Sequence, residues 1–160
     1  MTLALLLIAL VLLGWATGGG NRIAADVSAI YSSAANNNFC LLWMGTNDLA
    51  VATSAATCLT NAQTIVSAIK AANSAMRVIC VEVLTKRTAF LTGISAANFT
   101  TAAVTFNAGL AALTGVEDVI PLNDLTETQD ASLTAYFSDG LHPTPVLESI
   151  LVQRISQYLK

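Results

Sequence analysis

A short segment near the carboxyl end, residues 138–144, contains the single histidine of this 160-residue sequence. Asp139 precedes His142 by three positions, and glycine and proline punctuate the segment, so the carboxylate and the imidazole can share one loop. A carboxylate beside an imidazole fixes the tautomer of the ring, which can then take a proton from a hydroxyl nucleophile. A lone histidine can instead be a surface residue or a hydrogen-bonded core residue. The Asp-Gly-Leu-His-Pro context favours the catalytic interpretation.

A second polar motif, Gly-Thr-Asn-Asp at residues 45–48, directly follows an apolar run of strand length at residues 39–44. Open α/β sheets place their chemistry at the carboxyl ends of their strands, so this motif is a candidate part of a site. The same composition also fits a turn whose asparagine bonds its own backbone. A glycine triplet at residues 18–20 has two interpretations as well, a flexible turn or a backbone N–H directed at a ligand.

The amino-acid composition indicates which arrangement of strands and helices carries these motifs. Hydrophobic residues make up 54% of the chain and charged residues only 11%, against a usual charged share of about 25%. The elements must therefore bury apolar surface on more than one side, as parallel strands do between layers of helices. The length predicts a single domain over residues 1–160.

Charge and cysteine content argue against several classes of partner. The net charge is −3, and the seven Lys and Arg residues are scattered without forming a basic stripe, so nucleic acid is not an expected partner. Cys40, Cys58 and Cys80 lack metal-ligand spacing and the only histidine belongs to another motif, so these residues do not predict a metal site. Cys40 and Cys80 fall in apolar runs and are predicted to be buried thiols, which leaves the compartment undecided.

Apolar periodicity predicts strands that alternate with helices. Strands are expected at residues 39–44, 77–84 and 116–122, and helices at residues 54–73, 99–113 and 145–159. Residues 21–26, after the glycine triplet, are predicted to form a tight turn that leads into a further helix ending at about residue 33. This alternation is typical of a parallel sheet with right-handed crossovers. Two irregular segments, residues 85–98 and 123–138, are long enough to line a pocket.

The amino-terminal segment, residues 1–17, contains a nearly unbroken apolar run at residues 3–15. We favour a buried helix for it. A secretory signal or membrane anchor is the alternative, although no Lys or Arg precedes the run and a spanning helix needs roughly 18 or more residues. A buried strand is the third interpretation, and the length fits it less well.

Taken in order, the motifs at residues 45–48 and 139–143 resemble the third and fifth signature blocks of the SGNH (GDSL-type) hydrolases. The resemblance runs from about residue 18 to the carboxyl end and includes Asn107, in a helix of the kind that family has between the blocks. It implies an α/β protein with a flavodoxin-like, three-layer α/β/α fold. It also implies hydrolysis of esters through a serine nucleophile, without a metal or cofactor.

The resemblance implies a role for each matching residue. His142 would be the general base and Asp139 its orienting carboxylate. The side-chain amide of Asn47, and a backbone N–H of Gly20 or a neighbour, would donate to the oxyanion. The chemistry agrees with the role of Asn47, because acyl transfer develops negative charge on the carbonyl oxygen and a neutral amide donor cannot be titrated away.

The sequence departs from the family at the first block, because no Gly-Asp-Ser occurs anywhere in it. Met1 falls where the helix after that block would lie, so we expect the nucleophile and the first strand to lie outside these 160 residues. The sheet would then have a gap unless residues 3–13 fill it. Thr17 and Ser54 are the nearest substitute hydroxyls in sequence, and neither is favoured.

Two functional hypotheses follow. The first is an esterase acting on a small acyl ester or an acetylated carbohydrate by a Ser-His-Asp mechanism. The second is a catalytically inactive relative that keeps the fold and binds a glycan or another partner. No motif in the sequence indicates the substrate or the oligomeric state.

Overall fold

The computed structural model describes residues 39–89 and 91–159. Three of the predictions concern residues outside these ranges. They are the predictions for residues 1–17, for the glycine triplet with Gly20, and for a segment that fills the position of the first strand. Within the described part of the chain, strands and helices alternate in the predicted order.

Three strands and four α-helices make up the described part of the chain. The strands are β1 (Phe39–Trp43), β2 (Arg77–Val81) and β3 (Val116–Ile120); the helices are α1 (Thr46–Ala50), α2 (Ala55–Ala72), α3 (Ala96–Leu110) and α4 (Pro145–Tyr158), with a short 3₁₀ helix at Thr126–Thr128. The three predicted strands and three long helices of this region are confirmed, with their bounds shifted by a few residues. Helix α1 was not predicted.

The strands form a parallel sheet in the order β1-β2-β3 within the described residues. Cys40 pairs with Val78 in the β1–β2 register, and the β2–β3 register shifts between Val78 and Ile79. Four consecutive residues of β2, from Val78 to Val81, are buried. A strand buried on both faces explains why the sequence there is a continuous apolar run rather than an alternation.

One face of the sheet packs against α1, α2 and α3. Alternate strand residues point to this side, among them Cys40 and Leu42 of β1 and Val78 and Cys80 of β2. They pack with apolar side chains from the helices, including Cys58, Ala62, Ile65, Val66, Ile69, Phe99, Ala103, Phe106 and Leu110. Each large side chain buried here contributes roughly 1.5–3 kcal/mol relative to its exposed state.

The opposite face packs against α4 and the irregular segment before it. Leu41, Ile79 and Val81 point to this side and contact the buried side chains of Phe137, Leu147 and Leu151. Helices thus cover both faces of a parallel sheet. This arrangement is the predicted flavodoxin-like, three-layer α/β/α fold.

Serine side chains cap the amino-terminal ends of the two long helices on the first face. The Ser54 hydroxyl accepts the backbone N–H of Thr57 at 3.1 Å at the start of α2, and Ser95 accepts that of Asn98 at 3.2 Å at the start of α3. Such caps typically contribute about 1 kcal/mol. No helix in residues 39–89 and 91–159 is both long enough and apolar enough to cross a membrane.

Candidate active site

Polar residues gather where the parallel strands end. The Gly-Thr-Asn-Asp motif follows β1, residues 82–89 follow β2, and Asn123 follows β3. The loop that contains His142 reaches the same edge, because the backbone N–H of Thr88 donates to the carbonyl of Gly140 at 3.0 Å. The sheet therefore brings this loop and the segment after β2 into direct contact, at the edge where open α/β sheets place their chemistry.

The histidine loop, residues 137–143, closes on itself like a small hairpin. Phe137 and Pro143 form an antiparallel bridge, and the backbone N–H of Ser138 donates to the carbonyl of His142 at 2.9 Å. Just outside the loop, the N–H of Thr144 donates to the carbonyl of Tyr136 at 2.8 Å. Helix α4 begins at the next residue, so the loop is held between a backbone bridge and a helix.

Asp139 holds both the backbone and the side chain of this loop. Its Oδ1 accepts the backbone N–H groups of His142 at 2.8 Å and Leu141 at 3.0 Å. Its Oδ2 lies 2.7 Å from Nδ1 of the His142 ring. These hydrogen bonds, led by the backbone N–H of His142 and followed by the ring, lower the pKa of Asp139. The carboxyl is therefore ionised at neutral pH.

The Asp139 contact assigns the tautomer of the neutral His142 ring. An ionised carboxylate only accepts hydrogen bonds, so Nδ1 carries the proton that lies between the two residues. Nε2 is then the nitrogen with a lone pair that can take a proton. The side chain of His142 is 64% exposed, which leaves the ring accessible from solvent. This geometry suits a general base, and the catalytic role itself stays a prediction.

Gly140 explains why the motif carries glycine between Asp139 and His142. Its φ of +78° is in the left-handed region that favours glycine. A Cβ atom at this position would also clash with Oγ1 of Thr88. Only glycine satisfies both conditions, so the histidine loop can lie directly against the segment after β2.

Gly45 has the same kind of role in the other motif. Its φ is +101°, and a Cβ atom would lie 2.9 Å from the ring of Phe106 in α3. The glycine lets the chain turn sharply from β1 into α1 while packing on α3. The motif is therefore the beginning of a short helix and not only a turn.

Asn47 is exposed at the second position of α1. Its side-chain amide makes no hydrogen bond to the backbone of its own turn, so within the described residues the turn-residue interpretation has no supporting contact. The amide is thus presented to solvent just beyond the end of β1. Its role as an oxyanion donor remains a prediction, and Gly20, the other predicted donor, lies outside the described residues.

Asn107 ties α3 to the chain just after β2. Its Oδ1 accepts the backbone N–H of Val83 and its Nδ2 donates to the carbonyl of the same residue, both at 2.9 Å. Both residues are buried. The sequence analysis predicted that Asn107 lies in a helix but did not predict its contact with Val83. A polar residue among the apolar positions of that helix was the available signal.

Glu82 and Asn123, which the sequence analysis did not single out, join the ends of β2 and β3. Oε2 of Glu82 accepts the backbone N–H of Leu122 at 3.0 Å and both the backbone and the side-chain N–H of Asn123 at 3.1 and 2.9 Å. Oδ1 of Asn123 accepts the N–H of Thr85 at 2.8 Å. These contacts fix where the segment after β2 leaves the sheet.

In the described part of the chain, no group of three or more His, Cys, Asp or Glu side chains could hold a metal ion. The three cysteines are free and buried, as expected for Cys40 and Cys80. Burial raises the pKa of Cys40 to about 11 and that of Cys80 to about 12. These thiols are structural members of the core.

The fold and the residues at its edge define the class of protein. A parallel three-layer α/β fold carries a hydrogen-bonded Asp-His pair before its last helix and a Gly-Thr-Asn-Asp turn after β1. The family model described as "GDSL-like Lipase/Acylhydrolase family" matches residues 10–146, a span that contains both motifs. The chain belongs to this family. A comparison with curated proteins found no match to the chain.

Proposed function

We propose that this protein hydrolyses carboxylic esters by a Ser-His-Asp mechanism. Membership of a family of lipases and acylhydrolases supports the reaction class. The observation that carries the proposal is the 2.7 Å contact between Oδ2 of Asp139 and Nδ1 of His142. In this mechanism His142 is the general base, Asp139 orients it, and Asn47 stabilises the oxyanion.

The proposed reaction proceeds in two halves. Nε2 of His142 takes the proton of a serine hydroxyl while the serine oxygen attacks the carbonyl carbon of the ester. The resulting imidazolium then donates that proton to the leaving alcohol. Water then attacks the acyl-serine by the same route, which releases the acid. Asp139 stays ionised throughout and stabilises the imidazolium. The side-chain amide of Asn47, together with a backbone N–H at Gly20, donates to the negative oxygen of each tetrahedral intermediate.

The nucleophile in this proposal is a serine outside the 160 residues. No Gly-Asp-Ser occurs in the sequence. The hydroxyl of Ser54 already caps α2, since it accepts the N–H of Thr57 and lies 2.8 Å from the Thr57 hydroxyl. Thr17 lies outside the described residues. The proposed substrate is a small acyl ester or an acetylated carbohydrate.

The missing Gly-Asp-Ser favours a second candidate, a catalytically inactive member of the family that binds a glycan or another partner. The two candidates differ in whether a serine is supplied. The coding frame upstream of Met1 tests this difference directly. An in-frame Gly-Asp-Ser supports the esterase, and a stop codon immediately upstream favours the binding protein.

The activity test uses the protein with any in-frame upstream residues and a short activated ester. We expect turnover that His142→Ala abolishes and that Asn47→Ala lowers by about a hundredfold in kcat. Asn98→Ala, which removes an exposed amide of the same type from the first turn of α3, is the matched control and should leave the rate unchanged. Equal rates for the unmodified protein and His142→Ala would rule out the assigned base.

A further inference from the structure

The segment immediately after β2, residues 85–89, contacts both halves of the proposed site, and we call it the bridging segment. Its start is fixed on two sides, because the N–H of Thr85 donates to Oδ1 of Asn123 at 2.8 Å and its carbonyl accepts the Thr100 hydroxyl at 2.9 Å. The rest of the segment runs between α1 and the histidine loop. Arg87 lies at its centre and is only 5% exposed.

Arg87 joins the bridging segment to α1. Its Nε donates to the carbonyl of Ala89 at 2.7 Å, and one terminal guanidinium nitrogen donates to the carbonyl of Thr46 at 3.3 Å. Thr46 directly precedes Asn47. The guanidinium carbon also lies 5.6 Å from the centroid of the Phe99 ring, within the range of a cation–π contact. The guanidinium therefore holds the start of α1 against both the bridging segment and α3.

The neighbouring residue joins the same segment to the histidine loop. The backbone N–H of Thr88 donates to the carbonyl of Gly140 at 3.0 Å. Gly140 lies between Asp139 and His142 in the sequence. Burial lowers the pKa of Arg87, and the negative charge of Asp139 in this loop partly offsets that lowering. Two adjacent residues thus contact the two motifs, which are more than 90 positions apart in the sequence.

We propose that Arg87 is a positioning residue that fixes Asn47 relative to the Asp139–His142 pair. This inference rests on the proposed function, which requires an oxyanion donor and a base to act on one carbonyl group. Misplacement of such groups by about 1 Å can cost a hundredfold in rate. A planar guanidinium suits the task because it donates in two fixed directions at once, which an ammonium group on a flexible stem does not.

Nuclear magnetic resonance tests this inference without requiring turnover. His142 is the only histidine in the sequence, so the imidazole C–H signals of a protein without a histidine tag belong to it. We expect Arg87→Met to shift these signals and the backbone amide signal of Asn47. Arg87→Lys should shift them as well, because it keeps the charge and loses the two-direction contact. It also provides a test if Arg87→Met does not fold.

Arg77→Met is the matched control. It removes the same charge from the other end of β2, where Arg77 pairs with Glu117 at 2.7 Å. Both sets of signals should stay at their wild-type positions in this variant. Unchanged signals of His142 and Asn47 in a folded Arg87→Met protein would overturn the inference. Wild-type signals in Arg87→Lys would also overturn it, since charge alone would then be sufficient.

Kinetics separate this inference from the proposed function. In a protein that hydrolyses the test ester, Arg87→Met should lower kcat by about a hundredfold and leave KM nearly unchanged, as expected when only transition-state contacts are lost. An unchanged kcat would contradict the inference. If the unmodified protein hydrolyses no ester, the proposed function fails, and the resonance shifts still decide whether Arg87 positions the two motifs.

Discussion

The two oxygens of the Asp139 carboxylate have separate partners. Oδ1 accepts two backbone N–H groups of the histidine loop, and Oδ2 contacts the ring of His142. The first set of contacts shapes the loop, and the second orients the base. Substitutions that preserve an acceptor oxygen but remove the charge can therefore separate these two contributions.

Asp139→Asn tests the contribution of the charge through pH. Because hydrogen bonds lower the pKa of Asp139 in the folded protein, the unfolded chain, with an ordinary pKa of about 3.9, binds this proton more tightly. The stabilisation is therefore fully present above the unfolded pKa and is lost as pH falls through the folded pKa. We expect urea unfolding to show a larger stability loss for Asp139→Asn near pH 7 than in acid.

Glu127→Gln, on the 3₁₀ helix, is the control for this pH experiment. It removes a carboxylate outside the histidine loop and should not reproduce the pH dependence. A loss of stability for Asp139→Asn that is the same at neutral and acid pH would show that the charge of Asp139 is not what stabilises the loop.

Gly140→Ala tests the close approach of the histidine loop to the bridging segment. Gly93→Ala is its matched control, because Gly93 has a similar φ of +73° but the added Cβ would meet only Ala52 at 4.0 Å. The backbone cost should be about 1–2 kcal/mol in both variants. Gly140→Ala should lose a further 1–3 kcal/mol, roughly, from overpacking against Thr88. Denaturant unfolding measures both losses.

A Thr88→Ala background identifies the source of the additional loss. This change removes the hydroxyl that a Cβ at position 140 would strike. Gly140→Ala should therefore be less destabilising in that background than in the wild type, which is a coupling that a double-mutant cycle detects. Equal losses for Gly140→Ala and Gly93→Ala in the wild type would contradict the predicted clash.

At the scale of elements, side chains satisfy the backbone where β2 leaves the sheet. Val83 lies two residues beyond the end of β2. The side chain of Asn107 supplies an acceptor for the backbone N–H of Val83 and a donor for its carbonyl. Asn123 also donates to the Val83 carbonyl at 2.9 Å. Buried backbone groups need such partners, so these asparagines determine where the bridging segment begins.

Asn107→Leu should be strongly destabilising. It leaves the buried N–H of Val83 without its acceptor, and an unsatisfied buried group of this kind costs about 1–3 kcal/mol. Asn98→Ala, which changes an exposed asparagine of the same helix, should stay within about 0.5 kcal/mol of the wild type. Thermal or denaturant unfolding compares the two. Equal small effects would mean that Val83 finds another partner.

At the scale of the whole molecule, both faces of the sheet are covered and all three cysteines are buried. Cys40 and Cys80 lie on paired strands, and Cys58 lies on α2 in the same core. Burial, with a smaller contribution from Asp48, raises the pKa of Cys58 to about 11. Reaction of these thiols therefore requires the layers to separate.

Thiol labelling at pH 8 should report this separation. At pH 8, a pKa of about 11 in place of 9.0 leaves about a hundredfold less thiolate before steric protection is counted. We expect an alkylating reagent to modify the folded protein far more slowly than the urea-unfolded chain. Fast modification of Cys40 or Cys80 without denaturant would contradict the closed three-layer core.

Much of this architecture was predictable from the sequence because it depends on local patterns. The apolar runs at β1 and β2 and the helical spacing of α2 are strong enough to be found without tertiary information. Helix α3 begins at Ala96, three residues before the predicted start, because the Ser95 cap precedes the first apolar residue of the pattern. Asp139 and His142 were also found readily, since they are close in sequence.

Contacts between distant segments could not be predicted in this way. Helix α1 has only five residues, too few for periodicity, and its sharp entry depends on Gly45 packing against Phe106, 61 positions later. Arg87 looked like one of several scattered cations. Its burial and its contact with Thr46 exist only after β1 and β2 have paired.

The hydrogen bonds inside the histidine loop have a consequence for how related sequences diverge. A relative that no longer hydrolysed esters would still be selected to keep Asp139, because its carboxylate accepts the backbone N–H groups of the loop. The loop-closing groups of His142 belong to its backbone, and any amino acid except proline supplies them. Among homologues, an aspartate retained beside a replaced histidine should therefore mark the lineages that have abandoned catalysis.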